Sequence, residues 1–153
     1  MQKHLQRALA TTLLLCCLTL TAQENGNWRA SSTTARAITG DVALSGEKLF
    51  INFTGFTMSR IRSLEKPEIS ALFDADSTAV EGTAGLYRLD VPAAKKFLHK
   101  NTLCGSDDTQ WMVAYASGRS LQLAFFSSQK PPLLTLDALS NSTDLCGKYS
   151  YVK

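Results

Sequence analysis

WMVAYASGRSLQLAFFS, residues 111–127, is the stretch on which the reading of the fold turns. Trp111, Val113 and Tyr115 alternate with Met112, Ala114 and Ala116; after Ser117-Gly118-Arg119 the alternation resumes as Leu121, Leu123 and Phe125 against Gln122, Ala124 and Phe126. Side chains two apart share one face of an extended strand, whereas a helix repeats about every 3.6 residues. Two such runs around a Gly-containing turn predict a β-hairpin. Its core face is expected to hold Trp111, Val113, Leu121, Leu123 and Phe125.

The same period extends outward along the chain. ITGDVALSGEKLFINF predicts a second hairpin, Ile38 to Leu44 and Lys48 to Phe53, joined at Ser45-Gly46-Glu47. Further strands are expected at Trp28 to Ala35, Phe56 to Ser63, Glu68 to Phe73, Gly82 to Leu89 and Cys146 to Val152. VPAAKKFLHK departs from the pattern: Pro92 suits a first helical turn and Ala93 to Lys96 tolerate helix. QKPPLLTLDALSNSTD is extended at Pro131 and Pro132, with Leu133, Leu134, Leu136 and Leu139 available to cover an end of the core. The expected fold is therefore all-β: a small antiparallel β-barrel or sandwich of about eight strands, with one short helix near residues 92–98.

Compartment decides how the cysteines are read. MQKHLQR carries Lys3 and Arg7 and no acid, and ALATTLLLCCLTL follows from Ala8 to Leu20 without a charge. That run is shorter than the roughly 20 residues of a membrane span and matches a signal-peptide apolar region. Cleavage after Ala22 makes residues 1–22 a signal peptide and 23–153 a single β domain, exported to the periplasm or the extracellular medium. Cys16 and Cys17 leave with the signal, so Cys104 and Cys146 remain to pair in an oxidising compartment. The spacing C-x-x-C is absent, which argues against a redox or zinc role.

Removing Lys3 and Arg7 from the 16 basic residues leaves 14 against 13 acids. That near-neutral balance supplies no footprint for nucleic acid or for a membrane after signal cleavage. Chemistry-bearing motifs are scarce. His99 is the one histidine left after cleavage, beside Lys100 in an exposed stretch. Neither a nucleophile elbow nor H-E-x-x-H occurs. Asp74 and Asp76 resemble the start of a calcium loop, but Ala79 and Gly85 stand where its Gly and bidentate Glu are needed. Arg60 and Arg62, in an extended FTMSRIRSL, share a face with Phe56, Met58 and Leu64. No catalytic, cofactor or metal site is expected, and the chain does not read as an enzyme.

LCG at 103–105, the hairpin, the Pro pair and LCGKYSY at 145–151 together resemble the C-terminal half of small exported bacterial β proteins of unassigned function. The resemblance covers about a third of the chain and implies export, a β fold and a bridged pair of LCG motifs. In size and lone disulfide the chain is also similar in architecture to bacterial lysozyme-inhibitor β-barrels, with no motif in common.

A β-barrel binding module of the cell envelope, of inhibitor or immunity type, fits this pattern without catalytic residues. A lipocalin-like carrier of a small apolar ligand is the alternative, and needs an interior cavity. On the first reading a partner would meet the rigid tip Ser117–Ser120, with Arg119 supplying donors and Tyr115 apolar area. Exported material is expected to begin at Gln23 and to weigh two hydrogens less than the dithiol. Intact mass checks both, and retention of Cys16 would overturn the assignment of compartment.

Overall fold

The computed structural model describes residues 24–153, so the signal expected over 1–22 lies outside the described residues. Eight strands follow one another as neighbours and close into a barrel. They are β1 (Gly26–Ala30), β2 (Val42–Ser45), β3 (Lys48–Ile51), β4 (Thr54–Ser63), β5 (Thr83–Val91), β6 (Thr109–Ser117), β7 (Ser120–Phe126) and β8 (Leu145–Val152). Every pairing is antiparallel, and β8 returns to β1 through Arg29–Val152 and Ala30–Tyr151. Such closure leaves no unpaired sheet edge.

The hairpin of residues 111–127 forms β6 and β7 with Trp111 opposite Phe126 and Ser117 opposite Ser120. All five residues expected in its core are buried, but on two sides of the sheet. Leu121, Leu123 and Phe125 point into the barrel with Met112, Ala114 and Ala116, among Trp28, Leu49, Ile51, Tyr149 and Tyr151. Trp111, Val113 and Tyr115 point outward with Ala124 and Phe126 into a second cluster. Strands covered on both faces read as near-continuous apolar runs, which is why neither side of this hairpin is polar.

The outer cover is α2 (Lys66–Phe73), where the sequence predicts a strand over Glu68 to Phe73. Helix wins because Ile69, Leu72 and Phe73 are spaced to bury one helical face against the sheet. Glu68 Oε2 also accepts the Glu65 amide at 2.9 Å, tying down the first turn. A second helix, α3 (Leu136–Ser140), packs beside α2. Leu134 is buried in the same cluster and Leu139 packs against it, while Leu133 and Leu136 stay exposed.

Two further expectations change. The strand expected over Trp28 to Ala35 ends at Ala30, and α1 (Thr33–Ile38) follows, capped by Ser32 Oγ accepting the Ala35 amide at 3.1 Å. Near 92–98 there is a turn, with the Lys95 amide on the Pro92 carbonyl, and then a 3-10 turn at Leu98–Lys100. A helix does not form because Asp108 Oδ1 takes the Ala93 amide at 2.7 Å and the Phe97 ring turns inward. That ring packs edge-on against Phe56 at 6.0 Å.

The chain path gives the barrel two distinct ends. One carries α1, the β3–β4 turn, residues 92–108 and residues 127–144. The other carries the N-terminal residues, the link through α2, the β6–β7 turn and Lys153. Cys104 and Cys146 are bridged at the α1 end, 42 residues apart in sequence with Cα atoms 4.9 Å apart. Gly105, after the first cysteine, takes a positive φ (64°) in the turn there. Gly147 instead lies within β8, where a Cβ would come within 3.2 Å of the Tyr149 ring. Replacing either cysteine by Ala is expected to cost about 2–5 kcal/mol. Chemical denaturation of the oxidised wild type and the variant reads this, and an unchanged midpoint would show that the bridge adds nothing.

Candidate functional site

At the α1 end, beside the disulfide, lies a groove of about 710 Å³ lined by polar side chains alone. One wall is Ser106, Asp107, Asp108 and Gln110, leading into β6 two residues beyond Cys104. The other is Ser127, Ser128, Gln129 and Lys130, leaving β7, with Asp144 just before Cys146. The bridge joins the two walls. Trp111 Nε1 donates to the Ser128 carbonyl at 2.9 Å, and Arg88 Nη1 fixes the Gln110 amide oxygen at 2.8 Å. The Ser127 amide donates to the Asp144 carbonyl at 2.9 Å. Ser128 Oγ is buried without a hydrogen-bond partner. Three carboxylates, two amides and three hydroxyls against one lysine make the surface rich in acceptors.

The opposite mouth is closed by a buried carboxylate. Glu24 is 7% exposed, and its Oε2 accepts from the Tyr87 hydroxyl at 2.5 Å. That hydroxyl accepts in turn from Arg60 Nη1 at 2.7 Å. Glu24 Oε1, 3.8 Å from Arg60 Nη1, has no hydrogen-bond donor. Trp28 Nε1 donates to the Glu24 carbonyl at 2.9 Å, which fixes the backbone over the mouth. Burial raises the Glu24 pKa, with Tyr87 and Arg60 pulling the other way. Burial first, and then the bond to Glu24, push the Tyr87 hydroxyl well above its usual range. The Tyr87 hydroxyl thus acts as a clasp, bridging Arg60 and Glu24 across the mouth.

Arg60 and Arg62 do not share a face. A bulge sets Arg60 opposite Tyr87 and Arg62 opposite Leu86, so Arg60 turns to the mouth and Arg62 to the outside. Arg62 there makes a two-pronged bond to Glu68 on α2 at 2.7 and 2.8 Å.

Tyr115 and Arg119 are not brought together as a contact patch. Tyr115 is buried beneath the α2 connection, stacked on Phe73 at 5.7 Å, with its hydroxyl donating to the Glu81 carbonyl at 2.7 Å. Arg119 is exposed at the turn, but its Nη2 and Nε donate to the Lys153 carbonyl at 2.6 and 3.1 Å. His99 is exposed at φ 53° in the 3-10 turn. Asp74 pairs with Lys148 Nζ at 2.8 Å, and Asp76 binds the amide and hydroxyl of Thr78 as a polar turn. Among the described residues, no three of His, Cys, Asp and Glu lie close enough together to hold a metal ion. No helix there is long and apolar enough to cross a membrane.

Searches against family models, curated proteins and solved structures find nothing that this chain matches.

Glutamine at position 24 keeps the bond to Tyr87 without the buried charge. A carboxyl whose folded pKa is raised contributes its stability at low pH and loses it as pH rises through the folded value. The melting temperature of wild type relative to Glu24→Gln is therefore expected to fall as pH rises above the ordinary carboxylate value of 4.5. A difference that stays constant with pH would show Glu24 to be ionised without penalty.

Proposed function

We propose that this chain is an exported binding module of the cell envelope, of inhibitor or immunity type, and that the groove beside the disulfide is its contact face. The observation that carries this reading is the pairing of a filled interior with a braced outer groove. Trp28, Phe125, Tyr149 and Tyr151 occupy the barrel, none more than 1% exposed. A carrier of apolar ligands needs space at those positions, so the lipocalin-like alternative is the weaker one. Binding on the outside needs a surface whose groups are held before the partner arrives, because less ordering is then lost. The bridge and the bonds from Trp111 and Arg88 hold the groove in that way. Its acceptor-rich lining fits a partner that presents amines or hydroxyls.

Export is part of this proposal and rests on the N-terminal signal pattern and on the disulfide. Kinship with exported bacterial proteins that carry paired LCG motifs rests on the same C-terminal residues. The tip at Arg119 contributes less to the reading, because its guanidinium is already engaged by Lys153.

The test is capture from envelope extract with the mature chain as bait. Asp107→Asn with Asp144→Asn should weaken capture by about 2 kcal/mol or more, the scale of an interface hot spot, with little change in melting temperature. Co-purification of an apolar small molecule, with no protein or glycan captured, would favour the carrier. Equal capture by the double variant would move the contact face away from the groove.

A further inference from the structure

Pro131 and Pro132 follow Lys130 out of the groove, and the chain then exposes two leucines beside it. Leu133 is 75% exposed and Leu136 66%, while Leu134 between them is buried in the outer cluster. The fold fixes this arrangement. Proline restricts the backbone before Leu133, burial anchors Leu134, and Thr135 Oγ1 accepts the Ala138 amide at 3.3 Å to start α3 at Leu136. Both leucines are thus presented to solvent by a backbone with little freedom to withdraw them.

Charge beside the pair is in excess of one sign. Asp107, Asp108 and Asp144 line the groove against Lys130, and α3 adds Asp137. Arg88 is the other cation at this edge, but its Nη1 is engaged by the Gln110 side chain at 2.8 Å and its guanidinium lies over the Trp111 ring. Lys95, in the connection that leads to Asp107, turns to the β3–β4 hairpin, with Nζ on Thr54 Oγ1 at 3.0 Å. Around the start of α2, Arg62 and Lys66 cancel Glu65 and Glu68. Asp108 gives one oxygen to the Ala93 amide, whereas among the described residues no donor reaches the carboxylates of Asp107, Asp137 or Asp144. Glu68 and Asp74, by contrast, have Arg62 and Lys148. Ser128 lines the same groove, and its buried Oγ also lacks a partner.

We propose that this face takes a basic, partly apolar segment of a partner protein. An arginine or lysine side chain enters the groove between Asp107 and Asp144, and an apolar neighbour of that residue lies on Leu133 and Leu136. The inference rests on the groove being the contact face and names what it takes. Of the two cations arginine suits the site better, since its planar fork meets carboxylates with paired hydrogen bonds and its stem is apolar. Exposed leucines alone would accept many partners, and the acidic groove beside them selects against acidic ones. A free polyamine would meet the carboxylates and leave the leucines in water. The two features together ask for charge and apolar area in one ligand.

The test titrates a blocked tetrapeptide, Leu-Arg-Arg-Leu, into the isotope-labelled mature protein and follows backbone amide signals by NMR, with Leu-Gln-Gln-Leu as control. The arginine peptide should shift the signals of Asp107, Leu133, Leu136 and Asp144 together. The glutamine peptide should bind about tenfold more weakly or worse, and high salt should weaken the arginine peptide. Asp107→Asn with Asp144→Asn, and separately Leu133→Ser with Leu136→Ser, should each reduce affinity about tenfold or more. Melting temperature should hold in both variants, because all four side chains are exposed. Absence of these shifts, or equal binding of the two peptides, overturns the proposal. So does full binding by the leucine variant, which would show the carboxylates attracting charge alone. An envelope protein whose capture needs Asp107 and Asp144 but ignores the leucine changes would keep the groove as contact face and overturn its basic, apolar occupant. Peptide binding as expected, with no envelope protein captured, would support that occupant and overturn the envelope reading.

Discussion

Closure of the barrel rests on its shortest ladder, the two pairs that join β1 to β8. So few pairs cannot hold a sheet edge shut unaided, and the surrounding residues reinforce them. The amides of Ser31 and Ser32 both donate to the Ser150 carbonyl, and Ser32 Oγ accepts the Ser150 amide while capping α1. Inside, the Tyr151 hydroxyl meets Thr39 Oγ1 at 2.7 Å, joining the end of α1 to β8. Helix α1 is therefore a brace for the seam as well as a lid on one end. This explains why the strand expected to continue to Ala35 breaks at Ala30: an extended chain there would leave the seam open.

Burial on both faces of β6 and β7 governs the other half of the barrel. Once Trp111, Val113, Tyr115 and Phe126 point outward, something apolar has to cover them. Helix α2 does so with Ile69, Leu72 and Phe73, and its far end is tied down by Lys148 Nζ on the Leu72 carbonyl at 3.1 Å and on Asp74. The bulge in β4 belongs to the same arrangement. It rotates Arg62 outward to meet Glu68 at the start of α2, and leaves Arg60 facing the mouth where Glu24 and Tyr87 lie. One extra residue in a strand thus serves both the outer cover and the inner clasp.

How much of this was legible depends on whether the deciding partner is near in sequence. The hairpin of residues 111–127 was plain because alternation and turn sit in one window. The bridge was legible because a signal cleaved where the sequence predicts it would leave two cysteines one choice. EISALF was misread because its apolar residues fit strand and helix alike over so short a run, and the sheet face that selects helix lies about 40 residues away. The bulge has no local signature, so the shared face of Arg60 and Arg62 was an artefact of assuming an unbroken strand. Glu24 was missed altogether: QENGN reads as a loose start, and only its contacts with Tyr87 and Trp28 make it a clasp. Asp107 and Asp108, after Gly105-Ser106, read locally as no more than turn residues. That they face Asp144 across a groove follows from the bridge and the strand order, which carry no local mark.

The same reasoning separates the residues that hold the fold from those left over. Arg119 and Tyr115, attractive as hot-spot types, both have intramolecular partners, and a group already satisfied gains little from a new contact. The groove carboxylates differ, since three of them stand there against a single lysine. Leu133 and Leu136 differ again, because the fold holds them in solvent on either side of a buried Leu134. The interior is largely satisfied, down to the Thr39–Tyr151 bond, with Glu24 Oε1 and Ser128 Oγ as buried exceptions. The positions where local preference is violated without internal compensation are those where an external partner has to be sought.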